Sequence, residues 1–149
     1  MATLVDNATL TVTVNEDVKL NGQQVGSKVV QSIAGINEAS RRIFSVPTYE
    51  TTILSLSSSA GAGTYATSNL QYIRITNLDD TNFVRLTFLS GSSNRYDMKL
   101  PAKRTAIFTS PSISGSAGGD AFGSFVNFDS MKATANAAAV DVELFVAST

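Results

Sequence analysis

Alternation of apolar and polar side chains is the dominant pattern along this chain. In residues 9–14, TLTVTV, the side chains of Leu10, Val12 and Val14 share one face of an extended strand and the threonines share the other. Similar alternation returns in residues 72–77, 83–89 and 140–146. The pattern predicts an all-β fold, a β-sandwich or jelly roll of about eight to ten strands.

Turn and loop residues divide these strands. Asn21-Gly22 favours a tight turn between two strands, and Pro47 marks a strand end or edge. Residues 57–69 and 110–125 are rich in Gly and Ser and are expected to form long loops, the second of them functional or ordered by a partner. At 37–41 a short helical turn competes with a strand.

The alanine-rich end of the chain favours strand. Ala133, Ala135 and Ala137 fall on one face, and the neighbouring threonine, asparagine and valines outweigh the helical propensity of alanine. Such small residues are expected where another backbone comes close.

Length and charge describe one ordinary domain. The 149 residues suit a single β-sandwich over 1–149, with 1–8 as a candidate extended arm. No signal peptide and no membrane-spanning run is expected. Charged residues make up 15% of the chain and the net charge is -1, so neither a nucleic acid nor a membrane is an expected partner.

Candidate chemistry is sparse. The chain has no His and no Cys, which removes the usual general base and all thiolate chemistry, so we expect no catalytic residues, no cofactor and no metal, and no enzyme. Asp79-Asp80 stands where turn residues are expected. Two other interpretations of that pair are a calcium site with Asn82 and a catalytic carboxylate pair.

The segment 72–89, YIRITNLDDTNFVRLTFL, is interpreted as a hairpin around Asp79-Asp80. A two-residue loop would set Arg74 opposite Arg85, an unfavourable pair of like charges, whereas a shift of the register by two residues would set Arg74 opposite Thr87. Solvated arginines are the simplest interpretation. In the alternative, another subunit covers this outer face and its acids meet the arginines.

Outward aromatic residues make that alternative worth testing. Phe145 and one of Ile43 or Phe44 also face outward, in a chain of low charge. We therefore predict an interface formed by a set of five residues, namely Tyr72, Arg74, Phe83, Arg85 and Phe145.

Several phrases of the sequence resemble small virion structural proteins of tailed bacteriophages. They are VKLNG, RRIFSVPTYETTILSL, YIRITNLDDTNFVRLTF, MKLPAKRTAIF and the closing ATANAAAVDVELFVA. The resemblance implies a β-sandwich that forms a homo-oligomer, with a trimer suspected, and contacts the major capsid protein or another virion protein. It also implies a place in the virion, on the capsid surface or alternatively on the tail.

The leading hypothesis is a non-enzymatic capsid decoration (cement) protein. It would stabilise the phage head by self-association and by contacts with the major capsid protein. The alternatives are a tail, neck or fibre component of the virion and a carbohydrate-binding β-sandwich module, which would present exposed tyrosines such as Tyr49, Tyr65, Tyr72 or Tyr96.

Overall fold

The computed structural model describes residues 6–92, 94–109 and 128–149. Within them the fold is all-β, as predicted, and no helix occurs. The strands are β1 (Ala8–Asn15), β2 (Lys19–Leu20), β3 (Gln23–Gln24), β4 (Lys28–Ile36), β5 (Glu38–Val46), β6 (Thr51–Ser57), β7 (Thr64–Ala66), β8 (Leu70–Asn77), β9 (Val84–Ser90), β10 (Asn94–Leu100), β11 (Thr105–Phe108), β12 (Ser130–Ala135) and β13 (Val140–Ser148). The predicted loop 110–125 lies outside the described residues.

Two sheets form a β-sandwich. The five-stranded sheet has the order β10-β9-β12-β6-β7, and the four-stranded sheet has the order β11-β8-β13-β5. All neighbours are antiparallel except β6 and β7, which are parallel. Between the sheets, Phe88 packs edge-on against Phe108 and Phe128, with ring centroids 5.2 Å apart in both pairs. The alternation in the sequence thus supplies one buried row per strand.

Strands β1 to β4 form a long hairpin beside the sandwich, which we call the ribbon (residues 8–36). Strand β1 pairs with β4, and β2 pairs with β3 at the tip. Asn21 and Gly22 both have positive φ, at 50° and 82°, which confirms the predicted tight turn. Near the tip no other residue type can replace Gly26, because a Cβ atom there would lie 1.8 Å from the carbonyl oxygen of Glu16.

The predicted hairpin at 72–89 is wrong. Strands β8 and β9 lie in different sheets, although the turn at Asp79-Asp80 is confirmed. One carboxylate oxygen of Asp79 accepts the backbone N–H groups of Thr81 and Asn82 at 2.7 and 2.5 Å. These hydrogen bonds hold the pKa of Asp79 below its ordinary value, with the bond from Asn82 the larger cause.

Buried Asn77 explains why the chain crosses from one sheet to the other. Its amide nitrogen donates to the carbonyl oxygens of Asn82 and Leu100 at 2.9 and 3.2 Å, and its oxygen accepts the backbone N–H of Asp79 at 3.0 Å. These bonds fix the connection across the edge of the sandwich. The apolar rows of β8 and β9 therefore face the same core from opposite sheets, instead of pairing side by side.

The structure decides one local alternative and corrects two local predictions. Residues 38–41 belong to β5, so the competing helical turn at 37–41 does not form. The loop predicted over 57–69 includes the short strand β7. The alanine-rich end is two strands in different sheets, because residues 136–139 cross between β12 and β13. Buried Ala133 and Ala135 do lie in β12, which pairs with β6 on one side and β9 on the other.

Candidate assembly interface

The outer face of the four-stranded sheet carries most of the predicted interface residues. Across its four strands Ile107, Arg74, Phe145 and Arg41 lie side by side. Tyr72 lies on the same face, and its ring meets that of Phe145 edge-on with centroids 5.9 Å apart. Three residues that sequence analysis singled out, Tyr72, Arg74 and Phe145, are thus brought together.

The ribbon packs on this face. Leu10, Val12 and Ile33 of the ribbon pack against a small cluster that includes Tyr72 and Ala147. Tyr72 is only 4% exposed as a result. Burial raises the pKa of its hydroxyl above the ordinary value. The ribbon of the same chain therefore covers part of the surface that sequence analysis expected another subunit to cover. We call the outer face of the four-stranded sheet the covered face.

An ion-pair cluster lies on the covered face. Glu143 is 8% exposed and its carboxylate pairs with Arg41 at 2.6 Å and also with Arg74. Arg74 in addition donates to the hydroxyl of Thr76 at 2.9 Å. The two guanidinium groups, Arg74 first, hold the pKa of Glu143 below its ordinary value. The acid that meets Arg74 thus comes from the same chain.

A crevice runs along the edge of β1. Five consecutive residues of β1, from Leu10 to Val14, line one side of it, and Tyr72, Arg74, Ile107 and Phe145 line the other. Its volume is about 310 Å³. Since consecutive side chains of a strand point to opposite faces, a crevice that touches all five must follow the strand's edge. In the described part of the chain, β4 is the sole partner of β1, so this edge is free.

The ribbon also exposes apolar side chains beyond the covered face. Within the described residues, the exposed large apolar side chains on the ribbon are Val14, Val18, Leu20, Val25, Val29 and Val30. Their exposed fractions range from 43% for Val14 to 61% for Leu20. Val14 and Val29 face each other across the β1–β4 pair, two positions beyond Val12. The apolar stripe that packs on the sheet therefore continues into solvent.

The prediction that Phe83 and Arg85 share an outer row with Tyr72 and Arg74 is wrong. Because β9 belongs to the five-stranded sheet, Phe83 and Arg85 lie on the opposite side of the sandwich. The ammonium group of Lys99 sits 4.3 Å from the centroid of the Phe83 ring. Whether any of the five residues contacts another subunit stays a prediction.

The outer face of the five-stranded sheet is polar, and we call it the solvated face. Glu50 accepts hydrogen bonds from Arg95 and Lys132, both at 2.9 Å. Lys132 first, and then Arg95, hold the pKa of Glu50 below its ordinary value. Thr87 donates to Asp97 at 2.6 Å. Ionic groups here find partners within the chain while they stay in contact with water.

The four tyrosines differ in exposure. Tyr72 is buried, and the hydroxyl of half-buried Tyr65 hydrogen-bonds Ser40 at 2.5 Å. Tyr49 and Tyr96 are exposed, at 71% and 47%. Tyr49 lies next to Phe44 and Arg42, whereas Tyr96 is on β10, the edge strand at the far end of the five-stranded sheet from β7. Of the outward candidates Ile43 and Phe44, Phe44 packs against the core and Ile43 is 56% exposed.

Acidic side chains gather at one end of the sandwich. Asp79, Asp80 and Asp141 line a shallow pocket, but Asp79 accepts backbone N–H groups and Asp80 pairs with Lys103 at 2.6 Å. Across residues 6–92, 94–109 and 128–149, no group of three or more potential metal-ligating side chains could hold a metal ion. In the same residues no helix is long and apolar enough to span a membrane.

Comparison with known proteins gives little similarity. No protein-family model matches this chain, and no curated protein matches it significantly. Among solved structures the chain is similar to one from Bacillus endospore appendages, described as a novel family of disulfide-linked pili. The sequence identity is 10% and the TM-score 0.47, over 100% of this chain and 96% of that one. A TM-score this low does not establish a common fold, and the present chain contains no cysteine.

Sequence reasoning missed Glu143 and the ribbon's role. Glu143 stands between Val142 and Leu144 in a mostly apolar strand whose other charged residue is Asp141, and a carboxylate in such a strand is a signal for a paired outward side chain. The alternation of 9–14 predicted a strand with one buried face. It carried no information on which surface that face would cover.

Proposed function

We propose that this protein is a non-enzymatic structural subunit that attaches to a larger assembly through the ribbon. The observation that carries the proposal is the exposed apolar stripe of the ribbon, which continues from the covered face into solvent. Val14 and Val29 share the ribbon face that packs on the sheet, whereas Val30 lies on the opposite face. Soluble monomers rarely leave a large contiguous apolar surface of this kind uncovered.

The proposed assembly is the head of a tailed bacteriophage, where the chain would act as a decoration protein. The support is the resemblance of the sequence phrases given above, together with the exposed apolar side chains of the ribbon. In such a role many modest contacts, each repeated by symmetry, would hold a shell against outward pressure.

Labelling of intact particles tests this function. An antibody raised against the purified chain should bind over the heads of phage particles purified from its source. Label confined to tails would replace the decoration role by a tail or neck role. Absence of label from every particle, in preparations whose lysate contains the chain, would overturn the virion proposal.

A second measurement tests the cementing mechanism. Particles that lack this chain should release DNA at a lower temperature than complete particles. Addition of the purified chain should restore the release temperature of complete particles. A variant chain with Leu20→Ser and Val25→Ser at the ribbon tip should fold normally, because both side chains are more than half exposed. It should nevertheless restore the release temperature less than the wild-type chain does. Full restoration by this variant would remove the ribbon tip from the attachment surface.

A further inference from the structure

We propose that β1 pairs antiparallel with β1 of a second copy, so that two ribbons join into one four-stranded layer. The inference rests on the proposed function and deepens it, because it names the partner at the free edge of the ribbon. The inference is carried by the crevice between the β1 edge and the covered face, where the backbone groups of the strand edge lie beside apolar side chains.

The edge of β1 lacks the features that keep strand edges apart. From Ala8 to Asn15 it has no charged residue and no proline, and five of its eight residues are β-branched, four of them in succession at positions 11–14. Proteins usually protect such edges with charges, bulges or short strands. Two strands alone are also marginally stable in water, so a third strand on this edge would stabilise the ribbon.

Other edges within the described residues are protected. Strand β10 carries Arg95, Asp97 and Lys99, and β5 carries Glu38, Arg41 and Arg42. Strands β7 and β11 have 3 and 4 residues. Strand β4 begins with Lys28 and contains Gly35 at a φ of 77°, next to an irregularity in its register with β1. Strand β1 is therefore the edge best suited to accept another strand.

The charges of the crevice favour a neutral strand as the occupant. Arg74 is the one charged residue that lines it, and its guanidinium is already paired with Glu143 and Thr76. An acidic peptide would have to compete with Glu143 for it. An uncharged strand of Leu, Val and Thr residues, which β1 itself supplies, needs no such exchange.

The sequence of β1 is complementary to itself in one register. If Val12 faces Val12 of the second copy, then Leu10 faces Val14, and Val14 faces Leu10. All three apolar residues are matched with large apolar partners on the face that packs toward the sheets. A shift of two residues in either direction sets one of them opposite the small Ala8 or the charged Glu16. The arrangement is two-fold symmetric, as expected for an isologous dimer.

This pairing also gives the exposed apolar residues partners. Val14 of the second copy would lie beside Leu10, which lines the crevice together with Ile107. Val14 and Ile107 are each 43% exposed in the single chain. The pairing would therefore reduce exposure on both sides of the crevice.

A charge-swap experiment tests both the partner and the register. Thr11 and Thr13 are exposed and lie on the opposite face of β1 from Leu10, and in the proposed register Thr11 faces Thr13 of the second copy. Sedimentation velocity at low salt should show a wild-type dimer. Thr11→Lys with Thr13→Lys should weaken it by about tenfold or more, because two like-charge pairs then face each other.

The matched control changes the same two positions. Thr11→Lys with Thr13→Glu sets opposite charges face to face in both symmetric pairs, so the dimer should be kept or tightened. Equal dissociation constants for the two double variants would overturn this pairing. A wild-type chain that stays monomeric at every concentration would overturn the second copy as occupant. Head labelling of particles would still support the proposed function in that case, so the two failures are distinguishable.

A cross-link gives an independent readout of position. The chain has no cysteine, so Val12→Cys introduces a single thiol at the two-fold axis. A short bismaleimide should then join two chains, whereas Val30→Cys, on β4 and 55% exposed, should give little product. Equal yields from the two variants would contradict pairing through β1.

Discussion

The two outer faces of the sandwich have opposite chemistry. The solvated face of the five-stranded sheet carries Glu50, Arg95 and Lys132, which pair with one another in contact with water. The covered face of the four-stranded sheet carries Tyr72 and Phe145 in ring contact beneath the ribbon. Strand alternation is the same on both sheets. The difference teaches that the second, outward row of a strand can be either solvated or buried, depending on what packs over it.

Ion pairs show the same contrast. Glu50 is 32% exposed and its pairs are screened by water, which keeps their contribution to stability small. The side chain of Glu143 is 10% exposed, and the ribbon excludes part of the water near its partner Arg74. Loss of Glu143 would leave Arg74 partly desolvated and without its counter-charge. This should lower the free energy of unfolding more than the loss of a solvated ion pair.

Removal of the Tyr72 ring should have the largest effect. Tyr72→Ala would open a cavity between the ribbon and the sheet, and the free energy of unfolding should fall by about 3 kcal/mol. Urea denaturation followed by circular dichroism measures it. The control Tyr49→Ala, at a position 71% exposed, should change stability by less than about 0.5 kcal/mol. Similar losses for both variants would contradict the burial of Tyr72 by the ribbon.

Neutralisation of Glu143 should have an intermediate effect. Glu143→Gln keeps the shape of the side chain but leaves Arg74 without its counter-charge, at a cost of about 1 to 2 kcal/mol. Glu50→Gln on the solvated face should cost less than about 1 kcal/mol. The same denaturation assay compares them, and an equal or larger loss for Glu50→Gln would reverse the ranking of the two faces.

Acid should act on the covered face through the same carboxylate. Because Arg74 and Arg41 lower the pKa of Glu143 in the folded state, its stabilising contribution is fully present above the unfolded pKa. It is lost as the pH falls from the unfolded pKa through the lowered pKa of the folded state. Stability measured from pH 7 to pH 3 should therefore fall less steeply in Glu143→Gln than in the wild type. Parallel curves would show that Glu143 is not ion-paired in solution.

The smallest effect is expected on the solvated face. Lys99→Met removes the cation above the Phe83 ring and should cost about 0.5 kcal/mol, a typical value for an exposed cation–π contact. High salt should change the free energy of unfolding of the wild type and of the variant by similar amounts. A loss as large as that of Glu143→Gln would mean that the Phe83 region is covered in solution.

Local features of the fold could be predicted because neighbouring residues decide them. The Asn21-Gly22 turn follows from the ease of positive φ at both positions, and the Asp79 turn follows from a carboxylate within reach of nearby N–H groups. The buried rows Ile73–Ile75 and Val84–Leu86 follow from alternation. Each of these depends on contacts across a few residues of sequence.

The partners of the strands could not be predicted in the same way. A turn at Asp79 is compatible with a hairpin and equally with a crossing between sheets, and the hydrogen bond from Asn77 to Leu100, 23 residues away, favours the crossing. In the same way, Arg74 meets Glu143 from a strand 69 residues further along the chain. Such pairs form when distant strands become neighbours.

The sequence by itself determined that this chain is an all-β protein, where its tight turns fall and which row of its most regular strands faces the core, since periodicity and turn propensity act locally. Only the tertiary structure decided that β8 and β9 lie in different sheets, that the ribbon packs over Tyr72 and that Phe83 lies on the opposite face. The physical reason is that alternation gives every strand two faces. The free energy of packing between segments far apart in sequence selects which surface each face meets.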